Sequence, residues 1–342
     1  MGPPVNLLCV ATMTHPIATT TSKSISIPVE QMGPPGIVTH LHVVPEFEND
    51  RQSNEKRLKD LTPRIFRVTA RLAKNNEVQP SINFSFDEGS GDSLFSTPDD
   101  VAYFQVETVG GKFFFYPNSE RRLSTVRLDC TARSGEEARR FFHRIVGPAL
   151  DHLAYVANTP LHIVQVSVFD ELHQISSTEI LCPYPIVALN QGLGKVPALL
   201  APVYAMYREA VNATSPFYKF FCFYKILEGL LKSLPGKLHS EARAKGVALP
   251  PLQAKVPHYA DIPSDQESYV GKSITRFFDE FLTNKFRNSM AHFISDEGAV
   301  LNVNEMEEME RYSAVVQIAD LCCREVISHF EVCIESLEQR HT

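Results

Sequence analysis

The sequence predicts an α+β protein, with a β-rich N-terminal domain followed by an all-α helical bundle. Three observations support this prediction. Apolar side chains alternate with a period of two in much of the first half, and they follow the helical period of about 3.6 in the second half. Between the halves lies segment 182–197, which contains three prolines and two glycines. The chain of 342 residues has room for two domains, and we predict them at residues 1–190 and 197–342.

The strands of the first half are indicated by apolar side chains at alternate positions. Segments 66–72, 124–130 and 162–169 each place an apolar side chain at every second position, including Val68, Val126 and Val166. Gly110 and Gly111 stand between two aromatic stretches, which is a typical hairpin signal. These patterns predict an antiparallel sheet in the N-terminal domain.

One helix is predicted within this β-rich half. Ser134 and Glu137 have the spacing of a capping box, in which the side chain of each residue accepts a hydrogen bond from the backbone N–H of the other. An apolar pattern of helical period follows, and it includes Phe142 and Ile145. This helix makes the N-terminal domain α+β rather than all-β.

The second half reads as helices. Segments 197–211, 216–234 and 272–293 carry apolar residues at helical spacing, and a last long helix is predicted from about Asn304 to Leu337. Residues 235–271 are rich in proline and polar residues, so we predict a long excursion there. The C-terminal domain is therefore predicted to be a helical bundle.

Composition narrows the functional classes. The seven cysteines are odd in number and contain no C-x2-C pair, which argues against a disulfide framework and against a zinc site. No apolar run approaches the length of about 18 residues that spans a bilayer, so we expect a cytoplasmic protein without a membrane partner. The formal charge of −7 argues against nonspecific coating of nucleic acid, and any RNA must meet a local basic patch.

His40 and His42 are a possible start of a metal site, because side chains two apart share one face of a strand. The sequence offers no third ligand at useful spacing. Histidines on the surface of a strand are therefore the favoured interpretation, and we assign no metal and no cofactor to the protein.

The motif Arg287-x4-His292 carries the strongest chemical signal. RNA cleavage without a metal needs a group that moves protons and a cation that faces the phosphate, and histidine and arginine suit these tasks. The same spacing recurs at Arg324 and His329, so spacing alone decides little. In an unbroken α-helix, side chains five residues apart point about 140° away from each other. The first copy lies near a predicted helix end, where the two side chains can converge, whereas Arg324 lies deep within the last helix.

The context of the first copy resembles the HEPN superfamily (higher eukaryotes and prokaryotes nucleotide-binding domain). The resemblance rests on an aromatic helix leading into FRNSMAHF (286–293), on the earlier helix FYKILEGLLKSL (223–234), and on the small polar Asn288 after the arginine. It covers about residues 200–338. The layout of two domains is also similar to methylamine-utilisation proteins of the J type.

The HEPN resemblance implies a homodimer that brings two Arg–His pairs into one cleft. Many members are metal-independent endoribonucleases of defence or toxin systems, and others only bind RNA, nucleotides or a protein partner. By this resemblance, Arg287 holds the scissile phosphate, His292 moves protons and Asn288 orients one of these groups. Glu228 matches an acidic residue that some members use, although a surface ion pair with Lys225 or Lys232 explains it equally well.

Three interpretations of the motif therefore stay open. The first is a ribonuclease, the second is a non-catalytic module that binds RNA, nucleotide or protein, and the third is a structural helix end. The N-terminal domain is expected to bind something that the sequence does not identify.

Overall fold

The computed structural model describes residues 6–9, 38–44, 51–73, 98, 100–108, 110–181, 197–259, 262–287, 290 and 301–338. Spatial contacts divide the chain into two units, Met1–Pro185 and Ile186–Thr342. The division falls in the segment predicted as a hinge, most of which lies outside the described residues. The first unit is a sheet with helices and the second is helical, which confirms the predicted α+β class.

The described part of the first unit contains one sheet of eight antiparallel strands. In spatial order the strands run β1-β4-β5-β6-β3-β7-β8-β2. Their bounds are β1 Asn6–Cys9, β2 Val38–Val43, β3 Arg64–Ala73, β4 Phe104–Thr108, β5 Gly111–Pro117, β6 Leu123–Ala132, β7 His162–Asp170 and β8 Ile175–Leu181. Two helices accompany the sheet, α1 Arg51–Leu58 and α2 Gly135–Ala157.

The core of this unit lies between α2 and one face of the sheet. Ala138, Phe142 and Val146 recur about once per turn on α2 and are fully buried. They pack against strand residues such as Val68 and Val126, as the alternating sequence predicted. Burial of a side chain of the size of Phe142 or Val146 stabilises the fold by about 1.5–3 kcal/mol.

The start of α2 matches half of the predicted capping box. The hydroxyl of Ser134 accepts a hydrogen bond from the Glu137 backbone N–H at 3.2 Å. The Glu137 carboxylate accepts its hydrogen bond from the backbone N–H of Arg133, at 2.6 Å, instead of from that of Ser134. The helix therefore starts where the sequence placed it, with the reciprocal bond shifted by one residue.

The second unit is helical throughout its described elements. Helices α3 Ala201–Asn212 and α4 Pro216–Glu228 are followed by a π-helical turn, Gly229–Ser233, and by α5 Leu234–Lys245. After α6 Ser264–Glu267 and α7 Ile274–Phe277, a second π-helical segment spans Phe278–Arg287. The last helix is α8 Met306–Glu338, close to its predicted bounds. In the described parts of the chain, no helix is both long and apolar enough to cross a bilayer.

The predicted excursion over 235–271 differs in its first third. The chain continues as α5, because Pro235 stands in the first turn of that helix, where no backbone N–H needs a partner. Gly246 ends α5 in the left-handed conformation, with φ of 63°. The following stretch has little regular structure apart from α6 and one bridge between Lys255 and Ser273.

Candidate functional site

Two of the four predicted site residues line one cavity. Arg287 and Glu228 face a surface cavity of about 140 Å³ in the helical unit. Since a water molecule occupies about 30 Å³ of liquid, the cavity holds a ligand group larger than a single water. The lining side chains are Phe220, Phe221, Tyr224, Lys225, Glu228, Arg287 and Met290.

Most of this lining comes from one face of α4. Phe221, Lys225 and Glu228 are spaced at i, i+4 and i+7, so they share a face of the helix. Phe220 and Tyr224 stand beside them and are buried, with exposed fractions of 1% and 5%. The cavity therefore has an aromatic wall with charged groups at its edge.

Each predicted residue adjoins a π-helical segment. Glu228 directly precedes Gly229–Ser233, and Arg287 is the last residue of Phe278–Arg287. Within the longer segment, the Thr283 hydroxyl donates to the Phe278 carbonyl, five residues back, at 2.9 Å. π-helical turns are rare and are found frequently at functional sites. The backbone that leads into Arg287 is thus π-helical, whereas most of the backbone from Arg287 to His292 lies outside the described residues, so the convergence of these two side chains stays a prediction.

The backbone next to Arg287 is fixed by α8. The hydroxyl of Tyr312 donates to the Phe286 carbonyl at 3.1 Å, and Arg311 donates to the carbonyl of Lys285. Burial raises the pKa of Tyr312 to about 12, so this hydroxyl keeps its proton at neutral pH. The Arg311 guanidinium also lies 4.7 Å from the centre of the Phe286 ring. These contacts place Arg287 at the cavity.

The charges at the cavity are unequal. Lys225 and Arg287 are cationic, and Glu228 is the carboxylate among the lining side chains. The Glu228 carboxylate forms an ion pair with the Lys225 ammonium group, which is one of the two surface pairs expected for Glu228. Lys232 instead pairs with Asp279 at 2.7 Å. Two cationic side chains beside an aromatic wall suit an anionic ligand that carries a ring.

The other two predicted residues, Asn288 and His292, lie outside the described residues. Among the described lining side chains there is no histidine. The structure thus brings Arg287 and Glu228 together and leaves the placement of the proton-moving group as a prediction.

The second Arg-x4-His copy has a different environment. Arg324 lies within α8 and donates to Asp320 at 3.1 Å, and its guanidinium lies 5.5 Å from the centre of the Tyr207 ring. His329 contacts the thiol of Cys333 at 3.5 Å beside a cavity of about 50 Å³. Burial lowers the pKa of His329 and raises that of Cys333, so both are neutral at pH 7 and the thiol is not activated.

His40 and His42 lie on an edge strand beside Arg139 of α2. Arg139 contacts the His40 ring and lies 3.6 Å from Glu179. Burial, followed by the charge of Arg139, lowers the pKa of His40 to about 4 and also lowers that of His42. Among the described residues, no group of three or more His, Cys, Asp or Glu is placed to hold a metal ion.

The sequence interpretation missed the aromatic wall and Lys225 as a lining residue. A signal was present, because Phe221, Lys225 and Glu228 share the spacing of one helix face. What hid it is that every position from 216 to 228 except Lys219, Lys225 and Glu228 is apolar, aromatic or cysteine, so no single face stands out.

Comparison with known proteins gives one family. Residues 203–328 match the family described as Methylamine utilization protein MauJ. The match covers a little over one third of the chain and includes Glu228, Arg287, His292 and Arg324. It supports the resemblance to the J-type proteins, whereas nothing in it bears on the HEPN superfamily. No curated protein and no solved structure matches the chain significantly.

Proposed function

We propose that the helical unit is a HEPN-type RNA site and that the protein is a metal-independent endoribonuclease. The observation that carries the proposal is the cavity that Arg287 and Glu228 share, with its aromatic wall and its two cationic side chains. Spacing in the sequence alone does not require two residues 59 positions apart to meet at one ligand-sized cavity.

In the proposed reaction, the 2′-oxygen of a ribose attacks the adjacent phosphorus and the bond to the 5′-oxygen breaks. The 2′-hydroxyl loses a proton, the departing 5′-oxygen gains one, and a cyclic phosphate remains. Arg287 would hold the phosphate with its fixed positive charge as negative charge builds on the oxygens. His292 would carry the proton, because the pKa of an imidazole lies near neutrality, and Asn288 would orient one of these groups.

Glu228 has a positioning role in this proposal. Its ion pair holds the Lys225 ammonium group at the cavity, where a second cation can face the nucleotide. The carboxylate is about one third exposed, so it can also change partner when a ligand enters. A change of Glu228 to Gln should weaken RNA binding less than a change of Arg287 to Ala.

A second candidate is a module that binds RNA or nucleotide without cleaving it. The observation that favours it is that two cations and aromatic rings line the cavity. Binding needs only these groups, whereas cleavage also depends on His292. A non-catalytic module could also bind a protein partner in the same cavity, and the experiment described below distinguishes RNA cleavage from RNA binding.

We also propose that the protein assembles as a homodimer. A homodimer through the helical unit would bring two copies of Arg287 and His292 to one cleft and complete a site that one chain only half supplies. Light scattering at tens of micromolar protein should show a dimer. A monomer at that concentration would contradict the shared cleft.

The test of function is incubation of the full chain with a mixed RNA pool in EDTA. We expect discrete cleavage products that persist in EDTA and disappear with His292→Ala. His329→Ala is the matched control and should cleave like the wild type. RNA that is bound but never cleaved would favour the binding module, and equal cleavage by His292→Ala would contradict the assigned role of His292.

A further inference from the structure

Two aromatic rings stand exposed next to the cavity. Tyr218 and Phe221 of α4 have exposed fractions of 47% and 41%, and their rings lie at 19° to each other with centres 6.5 Å apart. Phe221 also lines the cavity that contains Arg287. The aromatic surface therefore continues from inside the cavity onto the outer surface of α4.

This exposure contrasts with the rest of the helix. The neighbouring aromatic residues Phe217, Phe220 and Phe223 are buried at 7% exposure or less. The large rings that remain outside are thus the two that share the cavity side with Lys225. Proteins that bind single-stranded nucleic acid combine aromatic side chains, on which bases stack, with cations that follow the phosphates.

We propose that Tyr218 and Phe221 form a stacking platform for an unpaired base of the RNA strand whose phosphate lies at Arg287. This inference rests on the proposed function and adds to it the class of substrate, which is single-stranded RNA. Within a duplex the base faces are covered by their neighbours, so the rings could reach only an unstacked base.

The other possible occupant of the rings is a second copy of the chain. Aromatic side chains have about 150–250 Å² of surface each, so the exposed parts of two rings together present roughly 200 Å². A stable dimer needs about 800 Å² from each partner, which these rings alone do not supply. The exposed area suits one or two bases, and the adjacent Lys225 and Arg287 suit their phosphates.

The neutral form of Tyr218 is also maintained. Its neighbour Cys222, one turn along α4, raises the pKa of the Tyr218 hydroxyl. A tyrosine hydroxyl is neutral at pH 7 already at its ordinary pKa of about 10, so the ring carries no charge that would repel the RNA strand.

The test separates the contribution of the bases from that of the phosphates. The probes are a short fluorescein-labelled oligoadenylate with 2′-O-methyl groups, which cannot be cleaved, and an abasic strand of equal length and charge. Binding of the full chain is measured by anisotropy at one salt concentration. Because stacking contributes about 1–3 kcal/mol per base, we expect the wild type to bind the adenylate at least about fivefold more tightly than the abasic strand.

The variants then show which side chains cause the preference for the adenylate over the abasic strand. The double change Tyr218→Ala and Phe221→Ala should reduce the preference to about onefold, whereas Tyr218→Phe should retain it. Arg287→Ala should weaken both probes by a similar factor. Tyr155→Ala is the matched control, because this ring is 83% exposed in the first unit, and it should change nothing.

The outcomes distinguish the platform from the site itself. A double variant that keeps the full preference overturns the platform and leaves the function of Arg287 standing. A double variant that loses binding together with dimerisation in light scattering shows that the rings contact a second copy, which also overturns it. A wild type that binds neither probe overturns the proposed function and the platform together.

Discussion

Two copies of Arg-x4-His occur in one helical unit, and they use their arginines differently. Arg287 is exposed at the end of a π-helical segment and lines a cavity with Glu228. Arg324 stands within α8, donates to Asp320 and covers the ring of Tyr207. The comparison teaches that the spacing of two residues does not define a site. The elements that surround each guanidinium decide whether it lines a cavity or lies against an acceptor on its own helix and a ring on another.

The anchoring of the two copies differs as well. At the first copy, aromatic packing and hydrogen bonds to backbone carbonyls fix the chain, while the side chain of Arg287 faces the cavity. At the second copy, the arginine side chain is itself part of a network that includes Asp320 and the Tyr207 hydroxyl. Changes around the first copy should therefore affect the fold through apolar packing, and changes around the second through charge.

The largest effect on stability is expected for Phe286→Ala. The Phe286 ring is 2% exposed and lies between the rings of Phe220, Phe281 and Tyr312, with centre distances of 5.2–5.6 Å. Removal of a buried phenylalanine ring costs about 3–5 kcal/mol. Urea unfolding should show this loss, and the exposed Phe221→Ala should cost under about 1 kcal/mol. Equal losses for both would mean that Arg287 is not anchored by this core.

A smaller loss is expected for Asp320→Ala at the second copy. The change leaves the Tyr207 hydroxyl, which donates to Asp320 at 2.6 Å, and the Arg324 guanidinium without their acceptor. Hydrogen bonds to a charged group contribute about 1.5–3 kcal/mol, so thermal and urea unfolding should both report a loss of that size. RNA binding should be unchanged. A loss of RNA affinity without loss of stability would show that the second copy binds a ligand.

Tyr312→Phe should affect the first Arg-x4-His copy and leave the second unchanged. The variant removes the hydroxyl that donates to the Phe286 carbonyl and should cost about 1 kcal/mol. Since that carbonyl belongs to the residue before Arg287, we also expect RNA affinity to fall by a few-fold. Anisotropy with the 2′-O-methyl probe measures the second effect. Lower stability with unchanged affinity would mean that Tyr312 supports the fold but does not position Arg287.

The smallest effect concerns pH and the second copy. Burial lowers the pKa of His329 in the folded chain below its ordinary value of 6.5, so the unfolded chain binds the extra proton first. The contribution of neutral His329 to stability is therefore present above about pH 6.5. It is lost as the pH falls from there towards the lowered pKa of the folded chain. The wild type should lose slightly more stability than His329→Gln between about pH 7.5 and 5.5. A greater loss in the variant would contradict the sign.

Much of the fold could be predicted, because it follows from simple periods. The alternation in 66–72 and 124–130 placed Val68 and Val126 in the core, and both are fully buried. The start of α8 was predicted within two residues, at Asn304 against Met306, and the helix continues to the last described residue, Glu338. These features depend on local apolar patterns, which sequence carries directly.

The π-helical segments were not predicted, although one left a trace. Segment 272–293 was predicted as one helix, yet its aromatic residues Phe281 and Phe286 are five positions apart, a spacing that an α-helix does not bring together. In the π-helical backbone their ring centres lie 5.6 Å apart. A five-residue step between two core aromatics was thus the available signal for a π-helix.

Only part of the candidate site could be predicted, because the site depends on contacts between separate helices. Arg287 and Glu228 stood out through a resemblance in two separate helices, and their shared cavity depends on tertiary packing that no local pattern encodes. Lys225 was considered only as an ion-pair partner of Glu228. The structure shows that the same lysine both pairs with Glu228 and lines the cavity, since one exposed helix face can serve both purposes.

The most direct measurement compares Arg287→Ala with Arg324→Ala in RNA cleavage and in thermal unfolding. Loss of a charge that stabilises the transition state lowers rates by about 10²–10³, so Arg287→Ala should lose that much cleavage and keep its stability within about 0.5 kcal/mol. Arg324→Ala should melt at a lower temperature and cleave RNA like the wild type. If Arg324→Ala is inactive and Arg287→Ala cleaves normally, the first copy is a structural helix end and the proposed site is wrong.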